Sequence, residues 1–284
     1  MNHVLCGLAA NTALPPELVD RLIAVTDADI ASDLAGRADL SRAQAIALYS
    51  RVEESGVRLA HEGRLTATDV DPQAQPDTAL ALLDKGAGNP EWGRLLATDP
   101  AVERREKLAA CSGLPSDVVA TLATDSDVRV VAELALWTTP DVATGLAGHP
   151  YAEVRRAVAG NEATPPAVLA ALISGKGLPP AQRCLVCDRE KTPFTHNPQC
   201  ARLDCELPPG VQKAFREVAR HRQATPQALL ACLTDAQARR IAAGHPALPP
   251  PAIVELLTDD DWQVVEAAAG NPSLPRAAML NLVP

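Results

Sequence analysis

Four cysteines crowd one short stretch of this sequence. Cys184, Cys187, Cys200 and Cys205 follow the pattern C-x2-C-x12-C-x4-C within RCLVCDREKTPFTHNPQCARLDC (183–205). A C-x2-C knuckle presents two thiolates to one ion, and a second pair completes a tetrahedron. Seven cysteines occur in the whole chain, so four this close together read as metal ligands rather than a disulfide framework. Four thiolates serve Zn²⁺ or a 4Fe–4S cluster. Paired knuckles about a dozen residues apart follow the zinc pattern. His196 is expected beside the site or at the surface, with replacement of one cysteine as the alternative, and Arg183, Arg189, Lys191 and Arg202 would offset the thiolate charge. With every position filled by protein, no coordination site is open to water or substrate. The expected site is therefore structural, and the chain is not expected to be an enzyme.

Other candidate residues recur at fixed places relative to a marker. The marker is a Leu or Thr, usually followed by Pro, with Leu eight positions later. It occurs at Leu14, Leu40, Leu114, Thr138, Thr164, Thr225, Leu248 and Leu274. Nine residues before it stand Arg105, Arg129, Arg155, Arg216 and Arg239. One expectation is a ladder in which each guanidinium ties its repeat to a carboxylate or to carbonyls of the next. The other is a stripe that binds an anionic or acidic partner through bidentate contacts. Three residues before the marker stand Asn11, Asn161, His245 and Asn271, placed to cap free carbonyls at a helix end. No nucleophile or acid recurs beside His245, so it is not read as catalytic. Cys6, Cys111 and Cys232 lie among small apolar residues and read as core. Among the tryptophans, Trp262 follows the acidic run Asp259 to Asp261 and is expected to be partly exposed.

The elements that would position these residues are short helices. Marker intervals are 26, 74, 24, 26, 61, 23 and 26 residues, which implies about ten repeats of 24–26 residues. The interval of 61 holds one period plus the cysteine stretch. Proline after the marker suits the first turn of a helix, where its missing N–H costs nothing. Upstream, runs such as AVAGN (157–161), IAAGH (241–245) and AAAGN (267–271) end a second helix, with glycine expected in the left-handed conformation. Asp125, Asp127, Asp235 and Asp259 to Asp261 precede that second helix and suit its N-terminus. One such unit cannot bury its own apolar face, so neighbours must stack.

The A-x-N-P element at Ala269 to Pro272, and the P-P and L-x-x-L elements within Pro165 to Leu172, resemble the leucine-rich repeat variant family. The resemblance covers 1–50 and 100–284 well and 51–99 poorly. It implies a right-handed superhelix that pairs an α-helix with a short 3₁₀ helix. Some members carry an iron–sulfur domain, which precedes their repeats, whereas here the cysteines interrupt them. Generic HEAT-like repeats are the near alternative.

Composition agrees with an all-α, α-α superhelical solenoid. Hydrophobic residues are 47% but aromatics only 2%, and 25 prolines exclude long uninterrupted helices. A net charge of −9 argues against nucleic acid as the main partner. No apolar run reaches membrane-spanning length, and Met1 to Ala10 lack the features of a secretory signal, so a cytoplasmic protein is expected. The organisation expected is N-terminal repeats over 1–175 (51–99 degenerate), a four-cysteine metal-binding insertion over 176–212, and C-terminal repeats over 213–284. The expected function is a protein-interaction scaffold with a structural metal, zinc or, in a redox or regulatory alternative, an iron–sulfur cluster.

Overall fold

The computed structural model describes residues 3–185 and 210–282. The chain falls into two compact units, Met1–Thr124 and Asp125–Pro284. Each is built from stacked helices, and the fold is an all-α repeat solenoid. Among the described residues there is no strand, only an isolated parallel bridge between Tyr151 and Arg183.

The first unit holds α1 (His3–Ala10), α2 (Pro16–Val25), α3 (Ala28–Ala35), α4 (Arg42–Arg51), α5 (Gly56–His61), α6 (Pro76–Asp84), α7 (Trp92–Leu96), α8 (Val102–Ala109) and α9 (Ser116–Ala123). The second holds α10 (Val128–Trp137), α11 (Pro140–Leu146), α12 (Ala152–Gly160), α13 (Pro166–Ser174), α14 (Gly210–Arg220), α15 (Pro226–Cys232), α16 (Ala236–Ala243), α17 (Pro250–Leu256), α18 (Trp262–Ala269) and α19 (Arg276–Leu282). Within the second unit α10, α12, α14, α16 and α18 pack in succession as one layer, and α13 packs on α15 in the other. The repeats on either side of the cysteine segment are therefore direct neighbours, α12 against α14.

Local chemistry explains the helix starts. Proline opens α2, α6, α11, α13, α15 and α17, where its fixed φ suits the first turn. The carboxylates of Asp27, Asp127, Asp235 and Asp261 accept backbone N–H groups at the starts of α3, α10, α16 and α18. The second helix of each repeat is α-helical, where the family resemblance implied 3₁₀. The 3₁₀ turns fall instead at Glu53–Ser55 and Ala67–Asp69, inside the degenerate stretch.

The glycines after the first helices differ from expectation. Gly160 lies inside α12, and Gly244 and Gly270 have φ of −84° and −80°. The chain is turned by the next side chain instead. Asn161 Oδ1 accepts Ala163 N–H (2.9 Å), His245 Nδ1 accepts Ala247 N–H (3.1 Å) and Asn271 Oδ1 accepts Ser273 N–H (2.8 Å). After α8 that position is Cys111, which offers no such acceptor, and there Gly113 adopts φ +71°.

The leucines eight positions after the marker, Leu22, Leu48, Leu122, Leu146, Leu172 and Leu256, are buried. The repeat after the cysteine segment is displaced by one residue. Ala224 N–H donates to His221 O at 2.9 Å, as Thr164, Leu248 and Leu274 donate to Asn161, His245 and Asn271. Ala224, not Thr225, is thus the buried marker. Thr225 is the N-cap of α15, its hydroxyl accepting Ala228 N–H, and Cys232 takes the inward leucine place.

Candidate functional site

The described part of the cysteine stretch is its entry. After Gly175 and Gly177, both left-handed, the chain returns along the start of α12. Gln182 and Arg183 N–H donate to Pro150 O (2.9 and 3.1 Å), and Ala152 N–H donates to Arg183 O (3.0 Å). The buried carboxylate of Glu153 accepts Leu185 N–H at 2.6 Å. The guanidinium of Arg183 lies 4.7 Å from the Tyr151 ring centroid, a cation–π contact. This clamp fixes Cys184, which is fully buried. Cys187, Cys200 and Cys205 lie outside the described residues, as do Arg189, Lys191, His196 and Arg202. Among the described residues no group of three or more His, Cys, Asp or Glu converges as a metal site. The donor set fits a thiophilic ion on chemical grounds, and the burial of Cys184 offers one sulfur in a water-excluded position.

The five arginines divide. Arg105, Arg155 and Arg239 are each the fourth residue of their helices, α8, α12 and α16. Arg105 donates to Asp99 O (2.7 Å), and Arg155 donates to His149 O (2.6 Å) and Gly148 O (3.2 Å), in the turn before each helix. Burial lowers the pKa of Arg155 from the ordinary arginine value. Arg239 pairs with Asp259 of the next repeat at 3.3 Å. Arg129 is the second residue of α10, about 200° around the helix from the fourth, and it pairs with Asp127 at 3.0 Å. Arg216 is also out of column. It stands five residues before His221, whereas Arg155 and Arg239 stand six before Asn161 and His245, and Phe215 takes the equivalent place. Because Ala224 and not Thr225 is the buried marker, the column position is 215, and Arg216 lies one residue beyond it. The Nε of Arg216 is buried without a hydrogen-bond partner among the described residues.

The Asn and His positions form a ladder between repeats. Asn161 Nδ2 donates to Ala135 O and Thr138 O, both at 2.9 Å. His221 Nε2 meets Asn161 O at 2.8 Å, His245 Nε2 meets His221 O at 3.3 Å, and Asn271 Nδ2 donates to Ala243 O (2.7 Å) and His245 O (3.0 Å). Contrary to the expected helix-end cap, these side chains do not bond carbonyls of their own helix; they reach back to carbonyls of the preceding repeat. The first unit uses arginine for the same task. Arg37 donates to Ala9 O (2.8 Å) and Asn11 O (2.6 Å), and Arg64 donates to Leu40 O (3.3 Å) and to Ala38 O. Asn11 itself supplies only the turn, accepting Ala13 N–H. Arg37 stands three residues before Leu40, so the recurrence that singled out Asn11 also marked it. His221 was hidden by the one-residue displacement at Ala224.

Of the three cysteines outside the cluster, all expected to be core, Cys111, just after α8, and Cys232 are buried, whereas Cys6 is only half-buried. Burial pushes the thiols of Cys111 and Cys232 up to about 12, which makes them poor nucleophiles and poor ligands. Trp262 is 69% exposed at the start of α18, and Trp137 is 61% exposed at the end of α10, its indole N–H donating to Glu133 at 2.7 Å.

No protein-family model matches the chain, and no curated protein matches it. Among solved structures, a leucine-rich repeat variant with a novel repetitive structural motif is similar over 88% of this chain and 84% of its own, at 18% identity and a TM-score of 0.44. An engineered protein is similar over 99% of this chain and 76% of its own, at 18% identity and a TM-score of 0.26. Among the described residues no helix is long and apolar enough to cross a membrane.

Proposed function

We propose that the chain is a non-catalytic, cytoplasmic scaffold for protein–protein interaction, with its cysteine segment held by a structural zinc ion on Cys184, Cys187, Cys200 and Cys205. The observation that carries the scaffold reading is the exposure of Trp137 and Trp262. The sequence contains only seven aromatic residues other than histidine, three of them Trp, and two of those three stand largely in water. Tryptophan left in solvent forgoes a large burial gain, which contact with a partner restores. The arginines give the stripe reading less support. Arg129 and Arg239 meet carboxylates, and Arg105 and Arg155 meet backbone carbonyls of their own repeats.

The test is affinity capture with the full chain and with a Trp137→Ala/Trp262→Ala variant of unchanged circular dichroism. The scaffold reading expects partners retained by the first and lost by the second. An identical set from both would overturn it. Metal content is tested separately, by elemental analysis of protein prepared anaerobically without chelator. Zinc near one equivalent supports the structural site. Brown protein carrying iron and sulfide would replace it with the iron–sulfur reading.

A further inference from the structure

We propose that His221 and His245 form a proton-operated joint in the second unit, in which protonation of either ring releases the hydrogen bonds that tie the repeat after the cysteine segment to its neighbours. The geometry fixes one tautomer. Each Nε2 faces a carbonyl oxygen, Asn161 O for His221 and His221 O for His245, so each Nε2 must carry the hydrogen. Each Nδ1 accepts a backbone N–H, from Gln223 at 3.1 Å and from Ala247 at 3.1 Å. A second ring proton has to sit on Nδ1, against that N–H. Donor then faces donor, in positions where His221 and His245 are 5% and 8% exposed. The ring must turn out, breaking both its turn and its rung.

Neighbouring repeats provide the comparison. Asn161 and Asn271 perform the same two tasks, accepting the N–H two residues on and donating to the previous repeat, with a group that does not titrate. Histidine occupies the two successive rungs that follow the cysteine segment, so among the described rungs the titratable ones fall at that joint; His149 accepts Tyr151 N–H at the turn before α12.

Most charged groups on the elements packed against the two rings are engaged elsewhere, although the Nε of Arg216 on α14 has no hydrogen-bond partner among the described residues. Arg220 pairs with Glu217 on α14 at 3.7 Å, and Arg239 and Arg240 on α16 pair with Asp259 and Asp261. On α12, Arg155 is turned to its own carbonyls, and Glu162 and Arg222 follow Asn161 and His221 in the turns. α13 and α15 carry no acidic or basic side chain, and α18 contributes Glu266. Burial lowers the pKa of His245 below the ordinary histidine value; the hydrogen bond to His221 O raises it in part, and the His221 ring lowers it again. The folded state therefore binds fewer protons than the unfolded chain just below that value. Stability rises with pH, is complete above about pH 6.5, and declines as pH falls below it. The ion-paired carboxylate of Asp261 is held below the usual range by Arg240, so its contribution is lost only at more acidic pH.

The test is hydrogen exchange on the zinc-loaded full chain at pH 7.5 and 5.5, corrected for intrinsic rates. Expected is a loss of about tenfold or more in protection at Gln223, Ala247 and helices α14 and α16 at the lower pH. A His221→Asn/His245→Asn variant should keep the fold and lose less than about twofold. Unchanged protection in the wild type overturns the proposal. So does an equal loss in the Asn variant, which would assign the effect to thiolate protonation or another group. Should the variant misfold, ring ¹⁵N spectra of the wild type decide: Nε2–H tautomers at pH 7.5, with protonation accompanied by lost protection at Gln223 and Ala247. Protonated rings with that protection intact would refute the joint.

Discussion

Asn161 uses both amide hydrogens and its carbonyl oxygen inside the fold, and its side chain is buried. Three backbone groups, Ala135 O, Thr138 O and Ala163 N–H, depend on it. Replacement by alanine leaves them without that partner in a place that water reaches poorly, which should cost about 2–4 kcal/mol. Asn161→Asp is the sharper variant. The carboxylate can still accept Ala163 N–H, but it turns an acceptor toward two carbonyl oxygens and buries a charge, so it should destabilise more than alanine at neutral pH. Acid should then narrow the gap between the two, because protonation returns one donor to the aspartate. Urea denaturation followed by helical circular dichroism, at pH 7 and at pH 4.5, measures both differences. An aspartate variant as stable as the alanine variant at neutral pH would show that the rung contributes turn geometry rather than donors. The type of such a residue is visible in the sequence. The direction in which it donates is not, because that depends on which repeat stacks behind it.

At the scale of elements, what was legible followed from local chemistry. Prolines at helix starts, aspartate N-caps and inward leucines act within a few residues of their own positions, and they predicted the helices of 1–50 and 100–175 well. Register was harder. Between α10 and α11 the linker is shortened, so Arg129 shares its spacing to the marker with Arg155 yet stands two positions nearer the start of its helix. Near α15 the threonine of ATPQ imitates the marker threonine of ATPP, and only the pairing of Ala224 N–H with His221 O shows the shift. That shift puts Cys232 where neighbouring repeats carry leucine, at a position with no exposed surface. Cys232→Leu therefore restores the repeat pattern yet adds volume to a closed space, and also removes the thiol contact to Phe215 O at 3.4 Å. Overpacking of this kind should destabilise by about 1–3 kcal/mol. A higher melting temperature for the leucine variant would mean that the space behind Cys232 is slack and that the shift is a defect rather than a fitted joint.

At the scale of the whole molecule, contacts in a repeat array are local, so damage at one repeat should fade with distance along the chain. Ligand binding free energy at a metal site is also folding free energy for the segment that supplies the ligands. If Cys184 is a ligand, metal should reinforce the clamp that carries it: Arg183 on Pro150, Ala152 on Arg183 O, and Leu185 on Glu153. Clustering and spacing are what suggest the four cysteines as a ligand set, and only Cys184 lies among the described residues. The clamp was not readable, because Gln182 to Leu185 and Pro150 to Glu153 lie some thirty residues apart and meet only through the turn after α13. Removing zinc with a chelator, or substituting Cys200→Ser, should lower exchange protection at Ala152, Arg183 and Leu185 by about tenfold or more, equivalent to ~1.4 kcal/mol. Amides of α3, α4 and α6 should keep their protection. Alkylation gives a second readout: with metal removed Cys184 should become reactive, while Cys111 and Cys232 stay protected by burial and by thiol pKa values pushed up to about 12. Protection unchanged at the clamp after verified loss of metal would separate Cys184 from the metal site. Protection lost equally in the first unit would show that the chain unfolds as one cooperative body, contrary to the local coupling expected of stacked repeats.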